Sequence, residues 1–277
     1  MNHFALYIKL MNRSIPVLLM SVLENWFSCC ISCVKWGSAM SYFYELKTGV
    51  RQGGVLSPVL FSIFIDDLVK LVSKTNIGCR MGACCTAIFL YADDVVLLAP
   101  SVCALQSLVN VCMTELQFLD MAVNTKKSAC MRFGSRYTSS CGNVVIAESP
   151  INWVTSARYL GVYLESSVRF KCSFANNKAK FFKAFNNIFG KVGRNASEEV
   201  LFALIKTKCL PILFYGVEAC PTNSSVRQSF EFTMNKILFK VFGVMSKDSY
   251  IYIYECFVLI MRTSSLINYV HQIIYVV

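Results

Sequence analysis

The stretch Ala87-Ile88-Phe89-Leu90-Tyr91-Ala92-Asp93-Asp94-Val95-Val96-Leu97-Leu98-Ala99 sets two adjacent carboxylates between two short apolar runs. Runs of about four to six aliphatic or aromatic residues suit buried strands, so the segment reads as a hairpin whose turn presents the acids where water meets core. Neighbouring residues of a strand face opposite ways, and only a tight turn lets Asp93 and Asp94 converge on one cation. Carboxylate oxygens are the ligands magnesium prefers, which points to phosphoryl-transfer chemistry. The plainer reading is an ordinary hairpin with an acidic tip.

Working outward, the next informative stretch is Lys47 to Phe61. Gly49, Gly53 and Gly54 let the backbone approach a ligand, and Ser57-Pro58 supply an N-cap and a first-turn proline for a helix. Phe61, Phe64, Ile65, Leu68 and Leu71 recur at helical spacing, so that helix buries one face and fixes the loop in place. Asp66 and Asp67 on the same helix read as surface or packing acids. Upstream, residues 4–28 read as two helices broken before Pro16, and Ile31 to Trp36 with Tyr42 to Leu46 as a hairpin through Gly37-Ser38. Downstream, Ser101 caps an amphipathic helix that should cover the acidic hairpin. A polar turn at Asn124 to Ser128 precedes a strand over Ala129 to Phe133, and Tyr159 to Leu164 reads as another strand with a close backbone approach at Gly161. From Arg169 the pattern turns helical: one helix through Phe189, one capped by Ser197 and stopped near Pro211, and one from Ser224 to Gly243.

Charge is uneven. The first hundred residues carry 8 basic and 6 acidic groups, the remainder 19 and 10, within a net charge of +11. Between 169 and 208, nine basic residues face only Glu198 and Glu199, with Phe170, Phe174, Phe181, Phe182, Phe185, Phe189 and Phe202 interleaved. Bases beside aromatics fit a nucleic-acid groove, because phosphate neutralisation supplies most sequence-independent affinity. A helical core stripe of Phe under a solvated Lys face is the alternative, and for the aromatics the better fit.

At 277 residues the chain can bury a sizeable core. Mean hydropathy is +0.50, yet no uncharged apolar run of about 18 residues spans a bilayer, and the start lacks the pattern of a signal peptide. These features predict no membrane segment and an intracellular protein, cytoplasmic or nuclear. Fourteen cysteines scattered through apolar runs read as reduced packing residues. Cys30-Ile31-Ser32-Cys33 and Cys84-Cys85 lack the paired spacing a zinc site needs.

Four motifs in order carry a resemblance: Gly49-Val50-Arg51-Gln52-Gly53-Gly54-Val55-Leu56-Ser57-Pro58, Tyr91-Ala92-Asp93-Asp94, Asn124 to Lys127, and Tyr159-Leu160-Gly161. The combination resembles the reverse transcriptases of non-LTR retrotransposons, over about Thr48 to Leu164. The order of elements suggests an α+β domain with helices behind an antiparallel sheet, then an all-helical domain, and the resemblance makes these a partial polymerase palm over 1–165 and a thumb or connection region over 166–277. The resemblance implies RNA-directed DNA synthesis with RNA template, DNA primer and deoxynucleotide as partners. It assigns two magnesium ions to Asp93 and Asp94, Asp93 the more direct ligand, and substrate positioning to Arg51, Gln52 and Gly53. Lys127 would help pyrophosphate leave, and Tyr159-Leu160-Gly161 would grip the primer end. Family members place a further metal-binding aspartate on an earlier strand, in a Phe-Asp pattern that precedes a segment like Asn2-His3. The expectation for this chain is therefore impaired catalysis, or a non-enzymatic relic that at most binds nucleic acid. It is also a sheet edge left open beside the hairpin.

Overall fold

A computed structural model of the chain describes residues 1–51, 53–192, 196–243 and 274–276. Mixed helices and small antiparallel sheets make it an α+β protein, and the backbone divides into two compact units. The first comprises Met1–Cys130, Ser140–Trp153 and Ile273–Val277; the second comprises Met131–Ser139 and Val154–Gln272.

The first unit opens with α1 (His3–Met11), capped by Asn2, whose Oδ1 accepts from the Phe4 amide at 2.9 Å. Pro16 then sits at the N-cap of α2 (Val17–Ser28). Two hairpins are nested after it. β1 (Ile31–Ser32) pairs with β4 (Tyr44–Glu45), and between them β2 (Lys35–Trp36) pairs with β3 (Ala39–Met40) across Gly37-Ser38. The loop of glycines leads into α3 (Ser57–Lys74), with Pro58 in its first turn. Here the structure corrects the expected cap: Leu56 holds the N-cap position, and the Ser57 hydroxyl instead donates to the Arg51 carbonyl at 2.6 Å, latching the loop to the helix start.

A short hairpin of β5 (Arg80–Met81) and β6 (Cys84–Cys85) precedes β7 (Ile88–Tyr91) and β8 (Asp94–Ala99), which pair antiparallel from Ile88 opposite Leu97 to Tyr91 opposite Asp94. α4 (Val102–Phe118) follows, its Ser101 cap accepting from the Ala104 amide. Leu68 and Val72 of α3, and Leu105 and Leu108 of α4, bury completely against Ala87, Leu97 and Ala99 of the hairpin. So α4 covers the acidic hairpin as its apolar stripe requires. The chain turns under this sheet at Gly78, where φ is +95° and an added Cβ would lie 2.5 Å from the Ala87 Cβ. β9 (Cys130–Met131) is shorter than the strand expected over Ala129 to Phe133, and β10 (Val144–Ile146) with β11 (Ser149–Ile151) forms one more hairpin.

Buried charge ties three helices of this unit together. Lys9 of α1 is 5% exposed and lies 2.9 Å from both Asp67 of α3 and Glu115 of α4, while Asp66 pairs with Arg13 and Lys70. The Lys9 hydrogen bond holds the Asp67 carboxyl below its ordinary range. Both helix acids are thus packing groups, as their place two turns into α3 suggests.

The second unit contains a three-stranded antiparallel sheet: β12 (Ser156–Tyr159), β13 (Val162–Glu165) and β14 (Lys171–Ser173). Tyr159 to Leu164 is therefore two strands joined by a turn at Leu160-Gly161, and the helical region starts after β14 rather than at Arg169. α5 (Ala175–Val192) and α8 (Ser224–Phe242) flank α6 (Glu198–Leu204), a π-helical turn at Ile205–Cys209 and α7 (Leu210–Leu213). Pro211 does not stop this helix. The wider π turn precedes it, so the proline falls in the first turn of α7, where its missing N–H costs little. Gly243, at φ +70°, ends α8. Phe181, Phe185, Ile205, Leu213 and Phe230 form the buried centre.

The last described strand, β15 (Ile274–Val276), belongs to the first unit and lies between β8 and β9 in a sheet ordered β7-β8-β15-β9. In place of the open edge expected beside the hairpin, β15 pairs with β8 along Leu97 to Ala99. The rest of the apolar tail from Ser249 lies outside the described residues.

Candidate active site

Asp93 occupies the two-residue turn between β7 and β8, and Asp94 is the first residue of β8, opposite Tyr91. Ala92 beside them sits at φ +51°, a left-handed conformation that costs a residue with a Cβ about 1–2 kcal/mol. The base of the hairpin is rigid, with Val96, Leu97, Leu98 and Ala99 all buried, while the tip from Tyr91 to Asp94 is exposed. Among the described residues no basic side chain pairs with Asp93 or Asp94, whereas Asp66 and Asp67 are both neutralised by the protein. Of these four acids, the hairpin pair alone remains available to a cation. The described residues contain no cluster of three or more His, Cys, Asp or Glu able to hold a metal.

Arg51 and Gly53 are exposed on the loop before α3, and Gln52 lies outside the described residues. Behind the loop is a cavity of about 120 Å³, lined by His3, Trp26, Phe27, Gly49, Arg51 and Leu60 among others. His3 bonds the Gly49 carbonyl through Nε2 at 2.8 Å and stacks on Phe27 at 4.4 Å, so α1 and α2 brace the loop from below. No local pattern in the sequence marks His3 or Phe27 for this task, because the contact spans 46 residues. Lys127 is exposed at the end of a tight turn in which its amide donates to the Asn124 carbonyl at 3.1 Å.

In the second unit, Leu160 and Gly161 have φ of +45° and +85°, the pair of left-handed residues that a hairpin turn of the I′ kind needs. The Tyr215 hydroxyl donates to the Leu160 carbonyl at 2.8 Å, and a Cβ at Gly161 would lie 3.0 Å from the Tyr215 ring. Tyr215 is thus a clamp on this turn, and only its neighbourhood in space reveals it.

The profile of the family described as "Reverse transcriptase (RNA-dependent DNA polymerase)" matches residues 3–164, more than half of the chain. The chain belongs to the reverse transcriptase family. The Retrovirus-related Pol polyprotein from type-1 retrotransposable element R2 of Popillia japonica is 27% identical over 206 residues, 71% of this chain and 33% of that protein. The RNA-directed DNA polymerase from mobile element jockey of Drosophila funebris is 31% identical over 132 residues, 46% of this chain and 14% of that protein. The Pol polyprotein of type-2 element R2DM of Drosophila melanogaster is 26% identical over 140 residues. These are polymerases of non-LTR retrotransposons, and the chain spans about a third of their length or less.

In the second unit, beyond the matched residues, the basic, Phe-rich segment resolves into two faces. Phe174, Phe181 and Phe185 are core, and Lys236 and Lys240 of α8 lie over the rings of Phe182, Phe185 and Phe189 at 5.4 to 5.6 Å. Lys178 donates to the Ser229 hydroxyl at 2.7 Å and so joins α5 to α8. Lys180, Lys183, Lys206 and Lys208 are exposed, and Arg194 lies outside the described residues. The aromatics therefore pack, and only part of the charge faces solvent. No disulfide joins the described cysteines; burial pushes the thiols of Cys112 and Cys130 up to about 12, which keeps them protonated and inert. No described helix is long and apolar enough to cross a membrane.

Proposed function

We propose that this chain is the palm-bearing part of a retrotransposon RNA-directed DNA polymerase, with residues 1–165 as partial palm and 166–277 as thumb or connection region. The observation that carries the reading is the pair Asp93 and Asp94, exposed and unneutralised at the tip of a hairpin whose base is locked in the core. Two adjacent carboxylates without protein counter-ions fit a divalent cation, and magnesium bound there supplies charge neutralisation for nucleotidyl transfer. The chain's own residues would do the rest. Arg51, Gln52 and Gly53 would seat the template and incoming nucleotide, on a loop that Ser57 and His3 hold in place. Lys127, on its polar turn, would offer a proton and positive charge to departing pyrophosphate. Tyr159, Leu160 and Gly161 would hold the primer end on a turn set by Tyr215. RNA template, DNA primer and deoxynucleotide are the partners, which sets the reaction inside the cell.

Phosphoryl transfer rests almost wholly on positioning and electrostatics. With no group of three or more metal-ligating side chains among the described residues, this chain would hold cations weakly and transfer nucleotides slowly. That same observation favours a second reading, a retroelement relic that binds nucleic acid without extending it. Primer extension on an RNA template, with magnesium or manganese, beside a version carrying an upstream Phe-Asp strand, separates the two. Weak incorporation that the added strand raises supports the polymerase. Salt-sensitive RNA binding with no incorporation by either version supports the relic.

A further inference from the structure

We propose that Cys172 and Cys220, which meet in the second unit, are a reversible redox site that hydrogen peroxide oxidises to a disulfide, with Cys220 as the attacking thiol and Cys172 as the resolving one. Cross-strand partners share a face of a sheet, as do residues two apart on one strand. Leu164 of β13 lies opposite Cys172 of β14, so Val162, Leu164 and Cys172 point to the same side. The segment that follows α7 runs over that side. Gly216 sits so close to Val162 that an added Cβ would lie 2.5 Å from the Val162 Cγ2, and the Tyr215 hydroxyl bonds the Leu160 carbonyl at the end of the same hairpin. Tight turns fold the segment, with the Val217 amide on the Phe214 carbonyl and the Ala219 amide on the Gly216 carbonyl. The buried Asn177 side chain fastens it from α5, donating to the Tyr215 carbonyl at 2.9 Å. This path carries Cys220 to Cys172, and the two thiols hydrogen-bond to each other.

The two sulfurs differ in access and in ionisation. Cys172 is 3% exposed, whereas Cys220 is half-buried. Their hydrogen bond holds Cys220 below the ordinary thiol range, and the same bond, with burial, pushes Cys172 above it. The thiolate therefore forms on the sulfur that solvent reaches, and the thiolate is the nucleophile. It attacks one peroxide oxygen, the O–O bond breaks, and the departing hydroxide takes up a proton as water, leaving a sulfenic acid at Cys220. Cys172 then attacks that sulfur. The S–O bond breaks, the leaving hydroxide and the Cys172 proton make a second water, and the S–S bond closes. The thiols together give up two electrons, which the peroxide accepts. Because the partner sulfur is already in contact, the second step is intramolecular, and a small thiol reverses it by exchange at the accessible Cys220 sulfur. The bridge would close the chain between 172 and 220 into a covalent loop and pin the segment bearing Tyr215 to β14.

The test treats the reduced full chain with limiting hydrogen peroxide, caps the remaining thiols and digests with trypsin. Cleavage after Lys171, Lys178, Lys208 and Arg227 places Cys172 and Cys220 on separate peptides. The expected product is those two peptides joined, lighter than their sum by two hydrogens and separated again by a reductant. Cys209 shares the peptide of Cys220, so Cys209→Ser should keep the link and Cys220→Ser should abolish it. In Cys172→Ser the reaction should stop at the sulfenic acid, and a 1,3-dione reagent should then label Cys220 several-fold more than it does in the unsubstituted chain. The oxidised unsubstituted chain should melt about 5 °C or more above the reduced one, because the closed loop restricts the unfolded state. Links spread among the exposed Cys29, Cys84 and Cys103, or oxidation of Cys220 no faster than that of Cys103, would overturn the proposal. A Cys172–Cys220 bridge that leaves the melting temperature unchanged would overturn the pinning of the Tyr215 segment.

Discussion

Two hairpin turns, Ala92-Asp93 in one unit and Leu160-Gly161 in the other, share a construction and differ in support. Each is a two-residue connection between antiparallel strands, and each holds a residue with a Cβ at positive φ. The second is satisfied at its tip: Tyr215 bonds the Leu160 carbonyl and packs over Gly161, and at the far end of β13, Glu165 pairs across the ladder with Lys171 at 2.7 Å. The first is satisfied only at its base, by four buried residues of β8, and its carboxylates have no counter-ion among the described residues. A turn that the protein finishes by itself is a positioning element. One left unfinished, on a rigid base, leaves its carboxylates open to solvent.

The largest effect that can break this contrast comes from Asp93→Ala. In a version of the chain that extends primers, incorporation should fall on the order of 10³-fold while the melting temperature stays put, because an exposed acid without a partner contributes nothing to the fold. A lowered melting temperature with little loss of incorporation would make the tip structural. The opposite signature is expected at the other turn. Gly161→Ala adds a Cβ at φ +85° and 3.0 Å from Tyr215, and should destabilise the fold by about 2 kcal/mol, read as a lower melting temperature. No change would show that the turn yields and that Tyr215 does not clamp it.

The two turns also differ in how far the sequence discloses them. The acidic hairpin is written locally: apolar runs on both sides, a polar dipeptide between, and a Ser101 cap that brings α4 back over it. α8 ending at Gly243 is equally local. Leu160-Gly161 is not, since Leu reads as a strand residue and its left-handed φ is fixed by Tyr215, 55 residues away. Pro211 misleads for a related reason, because the π turn before it, with Ile205 and Cys209 buried, has no mark in the local composition. His3 under the glycine loop and Ile274–Val276 beside β8 are the extreme cases, where only chain topology brings partner to site.

A smaller test concerns charge below the satisfied turn. The Lys171 hydrogen bond lowers the Glu165 carboxyl from its ordinary range, with Ser173 adding to it. A carboxyl depressed in the folded state contributes stability above its unfolded pKa and loses it as pH falls through the lowered folded value. Glu165→Gln should therefore cost about 0.5 kcal/mol near neutral pH, discounted for solvent screening, and the gap to the unsubstituted chain should close in acid. Melting curves at neutral and acidic pH check it. A gap that is constant with pH would assign the cost to packing instead of the ion pair.

The smallest and most discriminating change is Ala92→Gly. At φ +51° the alanine Cβ is strained, and glycine relieves that strain while adding freedom to the unfolded chain. The two effects nearly offset, leaving a net gain of about 0.5 kcal/mol and a slightly higher melting temperature. The sign is the reverse of that at Gly161, because this substitution removes a Cβ from a left-handed turn position and that one adds it. Under the proposed polymerase reading, that strain holds Asp93 in place for a cation. Glycine should then loosen the tip, so that an extension-competent version incorporates less at limiting magnesium and recovers at saturating magnesium. If stability rises and the magnesium dependence does not move, the left-handed alanine is incidental to the site, and the contrast between the two turns reduces to one of packing alone.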